Sequence, residues 1–296
     1  MNRGSANEGD WLAERFEAER RRLRAVAYRM LGSLSEADDA VQEAWLRLSR
    51  QEATGIENLG GWLTTVVARV SLNMLKARRA RREEPMGVYM ADPIVSHESG
   101  VDPEQEALLV DSVGLALLVV LETLDPAERL AFVLHDMFGV PFDEIALIVR
   151  RSPPAARQLA SRARRRIHAV PPVSDVDVIA QRDVIDAFVS AARSGDFDAL
   201  IGVLDPGVVL RADIGEPHAG LSELHGAETV ARAALSFSQQ DLEMRPVLVN
   251  GAAGTLSVRD GELVSVAGFT VRGGRITEID ILADPNRLRR VDLLRL

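Results

Sequence analysis

GVPFDEIALIVRRSPPAARQLASRARRRIH, residues 139–168, is the stretch whose reading decides the fold. Phe142, Ile145, Ala146 and Val149 recur at helical spacing, so residues 142–149 form a short helix with one buried face. Arg150, Arg151 and Ser152 make a tight connection. Ser152 suits the cap of a second helix, and Pro153 fits a first turn, where its missing N–H has no intrahelical acceptor anyway. That helix turns Ala156, Leu159, Ala160 and Ala163 toward the first and Gln158, Ser161, Arg162 and Arg165 outward. Two short helices, a three-residue turn and an arginine-rich outer face describe a helix-turn-helix. The competing reading is a surface helix pair whose basic face is merely solvated.

Charge is distributed in a way that favours the first reading. The 296-residue chain has a net charge of −9, yet residues 69–82 hold six basic side chains and no acid, and residues 150–168 hold seven arginines and no acid. Residues 1–170 together carry 23 Lys and Arg against 25 Asp and Glu, while residues 171–296 carry 12 against 19. Phosphate neutralisation depends on local clusters, not on the net balance. Two separated basic islands suggest two contacts with one polymer. The length allows two or three domains with cores of their own. There is no cysteine, which removes disulfides and thiolate metal sites and is compatible with a reducing cytosol. No apolar run has the length to cross a bilayer, and residues 1–10 lack the apolar centre of a signal peptide, so a soluble cytoplasmic protein is expected.

The remaining chain divides readily. Residues 10–50 read as helices, with Phe16, Leu23, Ala27 and Met30 on one face, a stop at Gly32, and a cap at Ser35 for a second helix. That second helix buries Ala40, Val41, Ala44, Trp45 and Leu48 and presents Asp38, Asp39, Gln42 and Glu43. Residues 54–61, TGIENLGG, read as a Gly-rich loop before an apolar helix from Trp62 to Leu75 that ends in KARRARR. Residues 83–101 read as a linker, although Val88, Tyr89 and Met90 beside the Asp92-Pro93 step make an apolar patch that calls for a docking surface. A helix over residues 108–124 is followed, after Asp125-Pro126, by another over 127–138. Beyond Pro171-Pro172 the pattern changes: helices over 178–192 and up to Val203, a strand over 208–212, and a helix over 227–237. Strands over 243–250, 254–259, 262–271 and 275–283 follow, with a tight hairpin at Asp260-Gly261. Helices before an antiparallel meander indicate an α+β domain.

In order and content, residues 10–168 resemble the extracytoplasmic-function sigma factors, which direct bacterial RNA polymerase to promoters. DDAVQEAWLRL at 38–48 is similar to the family's polymerase-clamp helix. GWLTTVVARVSLNMLKARRARR at 61–82 is similar to its downstream-promoter helix, and residues 124–167 to its upstream-element helix-turn-helix. The C-terminal part resembles SnoaL-like domains, cone-shaped α+β folds with a pocket, which a subgroup of these sigma factors carries. The resemblance therefore implies a multidomain chain: a sigma region 2 domain at 10–82, a linker at 83–110, a region 4 helix-turn-helix domain at 111–169, and a SnoaL-like domain at 175–296. By the same resemblance both helical domains would be all-α and DNA-binding.

The resemblance also distributes roles. Core RNA polymerase would meet Asp38, Asp39, Gln42 and Glu43. Promoter melting holds flipped bases of one strand, which costs a few kcal/mol of unstacking. Base capture would fall at residues 55–61, including Asn58, with Trp62, Arg69 and Asn73 on the helix that follows. Lys76, Arg78, Arg79 and Arg82 would hold phosphates. In the second module Gln158, Ser161 and Arg162 would read base edges, and Arg157 and Arg165 would hold phosphates. The subgroup's linker motif, Trp-Leu-Pro-Glu-Pro, is partly matched by Tyr89-Met90-Ala91-Asp92-Pro93. Its tail motif is similar to Asp284-Pro285-Asn286-Arg287-Leu288. Its Asp-Gly-Gly-Gly-Lys motif is met only by Asp213 and Gly215, without the lysine. Tyr89, Asp92, Pro93, Asp213, Asp284, Pro285, Arg287 and Leu288 are thus expected to be regulatory, by docking the linker and the tail on each other or on the extension.

Two rivals remain. A catalytic extension would draw on Asp213, His218, His225, Glu278 and Asp280, but no phosphate loop, metal-ligand spacing or nucleophile elbow accompanies them, so neither an enzyme nor a cofactor or metal is expected. A helix-turn-helix regulator acting without polymerase would bind DNA tightly by itself, as a dimer on a palindrome. The chain shows no dimerisation seam and reads as a monomer when free. It has no membrane contact, and its C-terminal pocket is open to a small-molecule or protein ligand.

Overall fold

The computed structural model describes residues 4–50, 56, 58–81, 90–97, 115–168, 177–215 and 221–291. The chain falls into two compact units, residues 1–85 with 123–170 and residues 86–122 with 171–296.

In the first unit, α1 (Gly4–Leu31), α2 (Leu34–Arg50) and α3 (Leu59–Arg81) pack on one another. Leu23, Ala27 and Met30 of α1, Ala40, Val41, Ala44 and Leu48 of α2, and Leu63 and Val67 of α3 are buried. Each fully buried aliphatic side chain of Leu size stabilises the bundle by ~1.5–3 kcal/mol. Phe16 meets the half-buried Trp45 with ring centroids 5.0 Å apart. Gly32 ends α1 at φ +67°, a left-handed conformation that a side chain would strain. α2 starts at Leu34, ahead of the Ser35 expected to cap it, so Ser33 takes the preceding position. α3 likewise begins earlier than expected: Leu59, Gly60 and Gly61 form its first turn instead of a loop, and the Asn58 side chain accepts from Gly61 N at 2.9 Å as the cap.

α4 (Leu115–Glu122) belongs to the second unit. The first unit resumes with α5 (Pro126–Phe132), whose proline occupies the first turn after Asp125, and α5 continues as a π-helical turn, Val133–Met137. Gly139 at φ +68° stops it. α6 (Phe142–Val149) follows with the predicted bounds, and α7 (Pro153–His168) starts after Ser152 as expected. α5 packs between α7 and α3, and the side chain of Arg129, 2% exposed, donates from Nε to the Arg29 carbonyl at 3.1 Å.

The second unit is built on a seven-stranded sheet, β1 (Val95–Ser96), β2 (Leu204–Asp213), β3 (Leu221–His225), β4 (Glu243–Val249), β5 (Ala252–Arg259), β6 (Glu262–Arg272) and β7 (Arg275–Leu282), in the order β1-β4-β5-β6-β7-β2-β3. α8 (Val178–Ser194), α9 (Phe197–Val203) and α10 (Ala227–Ser238) pack on it, with Ile185, Phe188, Leu200, Val230, Phe269 and Ile279 in the shared core. The α+β class is as expected, and the Asp260-Gly261 hairpin forms with both residues at positive φ. The sheet is not an antiparallel meander throughout: β2 pairs with β7 in parallel. Nor is the segment after residue 83 only a linker. β1 pairs with β4, and Ile94 and Asn250 exchange bonds of 2.9 and 2.8 Å. α4 lies on β7, with Leu115 against Gly268. A short turn of helix, α11 (Pro285–Leu288), closes the unit.

Candidate nucleic-acid interface

The α6–α7 connection is held by backbone geometry. Arg150 closes α6 at φ 56°, and Ala155 N points at the Ser152 hydroxyl at 3.4 Å. Ala156, Leu159, Ala160 and Ala163 are buried, while Arg157, Gln158, Ser161, Arg162 and Arg165 are all exposed along the opposite side of α7. Neighbouring arginines are committed elsewhere. Arg164 pairs with Asp136 at 2.6 Å and Arg166 with Glu128 at 3.0 Å, anchoring α7 to α5 and its π turn. Arg162 reaches Glu128 only at 4.0 Å. Arg157 lies over the Phe142 ring, which stacks on His135 at 3.8 Å. The result is a helix face on which a glutamine, a serine and a guanidinium are able to donate to base edges, flanked by cations suited to phosphates.

α3 is arranged differently. Arg69, Asn73 and Lys76 are exposed on one face. Arg78, expected to hold phosphate, is instead turned onto the bundle, where it donates to Glu36 and to the Leu31 carbonyl. Arg79 pairs with Asp125. Arg78 therefore bridges helices, whereas Arg79, 64% exposed, still presents its charge beside an exposed carboxylate. Trp62 is half-buried, and Arg82 and residues 51–55 lie outside the described residues.

On α2, Asp38, Asp39 and Gln42 are exposed and Glu43 half-buried, so they form a polar strip. Asp38 pairs with Arg24 of α1 at 2.6 Å and Glu43 with Arg47 at 2.9 Å. Exposed pairs of this kind contribute ~0–1 kcal/mol and are readily exchanged for a partner's groups.

The residues expected to be regulatory converge within the second unit. Arg287 donates from Nη1 to Asp213 and from Nη2 to Asp92, both at 2.6 Å, and from Nη2 to the Met90 carbonyl at 2.7 Å. Asp284 caps α11 by accepting from Asn286 N at 2.8 Å, and Gly215 packs against the Asp284 side chain. Pro93 and Leu288 are buried, and Pro285 is exposed. Tyr89 lies outside the described residues.

Of the candidate catalytic groups, His218 also lies outside them. His225 is exposed and sits 3.4 Å from Glu223. Glu278 and Asp280 share one guanidinium, Arg211 Nη1, at 2.8 and 3.1 Å. Burial pushes the Asp280 carboxyl up to about 6, against the attraction of Arg211 and with repulsion from Glu278 adding to it. Arg211 itself is held above its ordinary value by the two carboxylates, although burial works against it. Sequence reasoning missed Arg129 and Arg211. A lone arginine in an apolar helix, or alternating with Leu210 and Ala212, carries no local sign that it will be buried.

Comparison with known proteins completes the description. Residues 15–81 match Sigma-70 region 2, and residues 114–167 match Sigma-70 region 4. SigI of Mycobacterium tuberculosis, named a probable ECF RNA polymerase sigma factor, is 36% identical over 285 residues, covering 95% of this chain and 96% of that protein. The ECF RNA polymerase sigma factor SigJ of the same organism is 35% identical over 286 residues, covering 92% and 91%. The crystal structure of the M. tuberculosis extracytoplasmic function sigma factor SigJ superposes with a TM-score of 0.75 at 32% identity, covering 95% of this chain and 99% of that one.

Proposed function

This chain belongs to the extracytoplasmic-function sigma factors, and from that premise we propose how its parts divide the work of transcription initiation. It binds core RNA polymerase and confers promoter-specific initiation. The observation that carries this is the presence of both sigma regions, at 15–81 and 114–167, in a chain matching SigI over 95% of its length. It acts as a transcription factor and not as an enzyme, in the cytoplasm, where the polymerase works. No described helix is long and apolar enough to cross a membrane.

At residue level, Gln158, Ser161 and Arg162 read the upstream element while Arg157 and Arg165 hold its backbone. Arg69, Asn73 and Lys76 serve the downstream element, with Asn58 and Trp62 at the start of that helix. Asp38, Asp39, Gln42 and Glu43 meet polymerase. The second unit modulates activity through the Asp92–Arg287–Asp213 link, which ties the segment between the two sigma regions to the C-terminal sheet. Arg78 and Arg79 join the phosphate contacts only when they leave Glu36 and Asp125.

The test is capture of core RNA polymerase by the purified protein, followed by run-off transcription on genomic fragments. Co-purification with new start sites is the expected result. Tight binding to duplex DNA without polymerase, and no capture of polymerase, would instead favour a free-standing regulator.

A further inference from the structure

Granted the reading of α7 as the upstream-element helix, we infer that Phe142 is a positioning residue for promoter binding. Its ring, itself held by His135, steadies the Arg157 guanidinium on the outer side of α7 and leaves the guanidinium N–H groups for a DNA phosphate. Three elements build this stack. His135 comes from the π-helical turn that continues α5, Phe142 from the first turn of α6, and Arg157 from α7. The His135 and Phe142 rings are stacked, with centroids 3.8 Å apart and planes 29° from parallel. Arg157 Cζ lies over the Phe142 ring, 5.6 Å from its centroid. His135 Nδ1 is 3.0 Å from the Val140 carbonyl, and a carbonyl only accepts, so the imidazole donates there and its orientation is fixed.

The mode of contact decides what Arg157 can still do. A guanidinium over an aromatic face is held through its charge, and its N–H groups remain for an acceptor. Two other arginines of α7 are held in the opposite way: Arg164 and Arg166 spend N–H groups on Asp136 and Glu128. Arg157 makes no ion pair with a carboxylate among the described residues. A long exposed side chain loses rotamer freedom when it grips a phosphate, and less is lost where a ring contact has already restricted it.

The surroundings of Phe142 suit such a role. Ile145, Ala146 and Ile148 of α6 are buried, whereas Phe142 is half-buried and keeps part of its ring outside the core. The π-helical turn serves both modes of holding α7. Asp136 anchors the helix through Arg164, and the adjacent His135 stacks on the ring that carries Arg157. Single π turns within α-helices recur at functional sites.

The experiment measures the affinity of holoenzyme, reconstituted from core RNA polymerase and the full-length chain, for a promoter fragment taken from the run-off assay, at several KCl concentrations. Arg157→Ala should lower the salt slope by about one, the signature of one lost phosphate contact. Phe142→Leu should weaken binding by about twofold to fivefold, the worth of one exposed cation–π contact, and lower the slope toward that of Arg157→Ala. Phe142→Tyr restores a ring and should recover both. Added to Arg157→Ala, Phe142→Leu should cost nothing further, because the ring acts through the guanidinium. If Phe142→Leu folds poorly, His135→Ala loosens the ring without touching α7, and its effect should likewise vanish beside Arg157→Ala. Additive losses, or a slope that Phe142→Leu leaves unmoved, overturn the positioning role, since those are the marks of a merely structural contribution. A wild-type slope in Arg157→Ala overturns the phosphate contact. Failure to capture polymerase is failure of the sigma reading alone. The same variants are then compared on duplex DNA bound by the protein without polymerase, where the slopes and the cycle decide the role of the stack.

Discussion

The Arg287 guanidinium and the Asp92 carboxylate meet at 2.6 Å although 195 residues of chain separate them. The same guanidinium holds Asp213 and the Met90 carbonyl. One side chain thereby joins the tail, the end of β2 and the segment that leads from one sigma region toward the other. The segment is further held by β1 on the sheet edge and by α4 on β7.

Arg287→Ala removes the cation that the Asp92 and Asp213 carboxylates share. Removing one partner of a buried charge cluster costs about 3–5 kcal/mol. A loss near 3 kcal/mol is expected here, because Asp92 is 22% exposed and keeps some contact with water. Urea unfolding of the full chain measures it. Arg287→Lys keeps the charge but not the forked geometry, and should recover only part of the loss.

Asp280 predicts a pH dependence. Its folded value of about 6 lies above the ordinary 3.8 expected in the unfolded chain. The folded state therefore binds the proton more tightly, so its stabilising contribution is complete below pH 4. That contribution falls as pH rises through about 6, and is flat above. A shift of about two pH units corresponds to ~3 kcal/mol, at 1.36 kcal/mol per unit. Asp280→Asn should remove this slope between pH 4 and 6. An unchanged slope in denaturant unfolding would show that another group titrates there.

Arg162 is exposed on α7 and tied to Glu128 only at 4.0 Å, so it is available to a base edge. A good bidentate contact is worth ~1–3 kcal/mol of discrimination. Arg162→Ala should reduce run-off transcription from the cognate promoter by about tenfold or more, while capture of core polymerase and the melting temperature stay as they were. Equal loss at every promoter would assign Arg162 to phosphate instead.

Arg129 is the largest fully buried side chain of the first unit, and its bond to the Arg29 carbonyl joins α5 to the end of α1. Arg129→Met keeps most of the volume but removes the guanidinium and its bond to that carbonyl. A hydrogen bond from a charged donor is worth ~1.5–3 kcal/mol, and chemical unfolding should show a loss in that range. Phe138 lies over Arg29 at 5.1 Å beside the same joint, so Phe138→Ala should add to the effect.

Much of this protein was legible from local pattern. The 3.6-residue period placed α6 with its bounds and α7 with its start, and the exposed row from Arg157 to Arg165 followed from the buried row of Ala156, Leu159, Ala160 and Ala163. Period-two runs and the Asp260-Gly261 turn gave β5, β6 and β7 to within two residues. These elements are specified by neighbours along the chain, and the sigma family could be recognised from them. Where a competing local signal existed, the reading failed. Leu59–Gly61 looked like a loop because of its glycines, yet Asn58 caps it into a helix.

Long-range partnerships had no such trace. Val95-Ser96 is too short to announce a strand and becomes one because β4 offers an unpaired edge. The parallel pairing of β2 with β7, the commitment of Arg78 to Glu36, and the burial of Arg129 and Arg211 all depend on groups far away in sequence. The sequence by itself determined the helices, most of the strands and the family, since periodicity and capping act within a few residues. Only the tertiary structure decided which charges stay exposed and which are spent inside the fold. Desolvation and pairing depend on what surrounds a side chain in space, and the chain order does not record that.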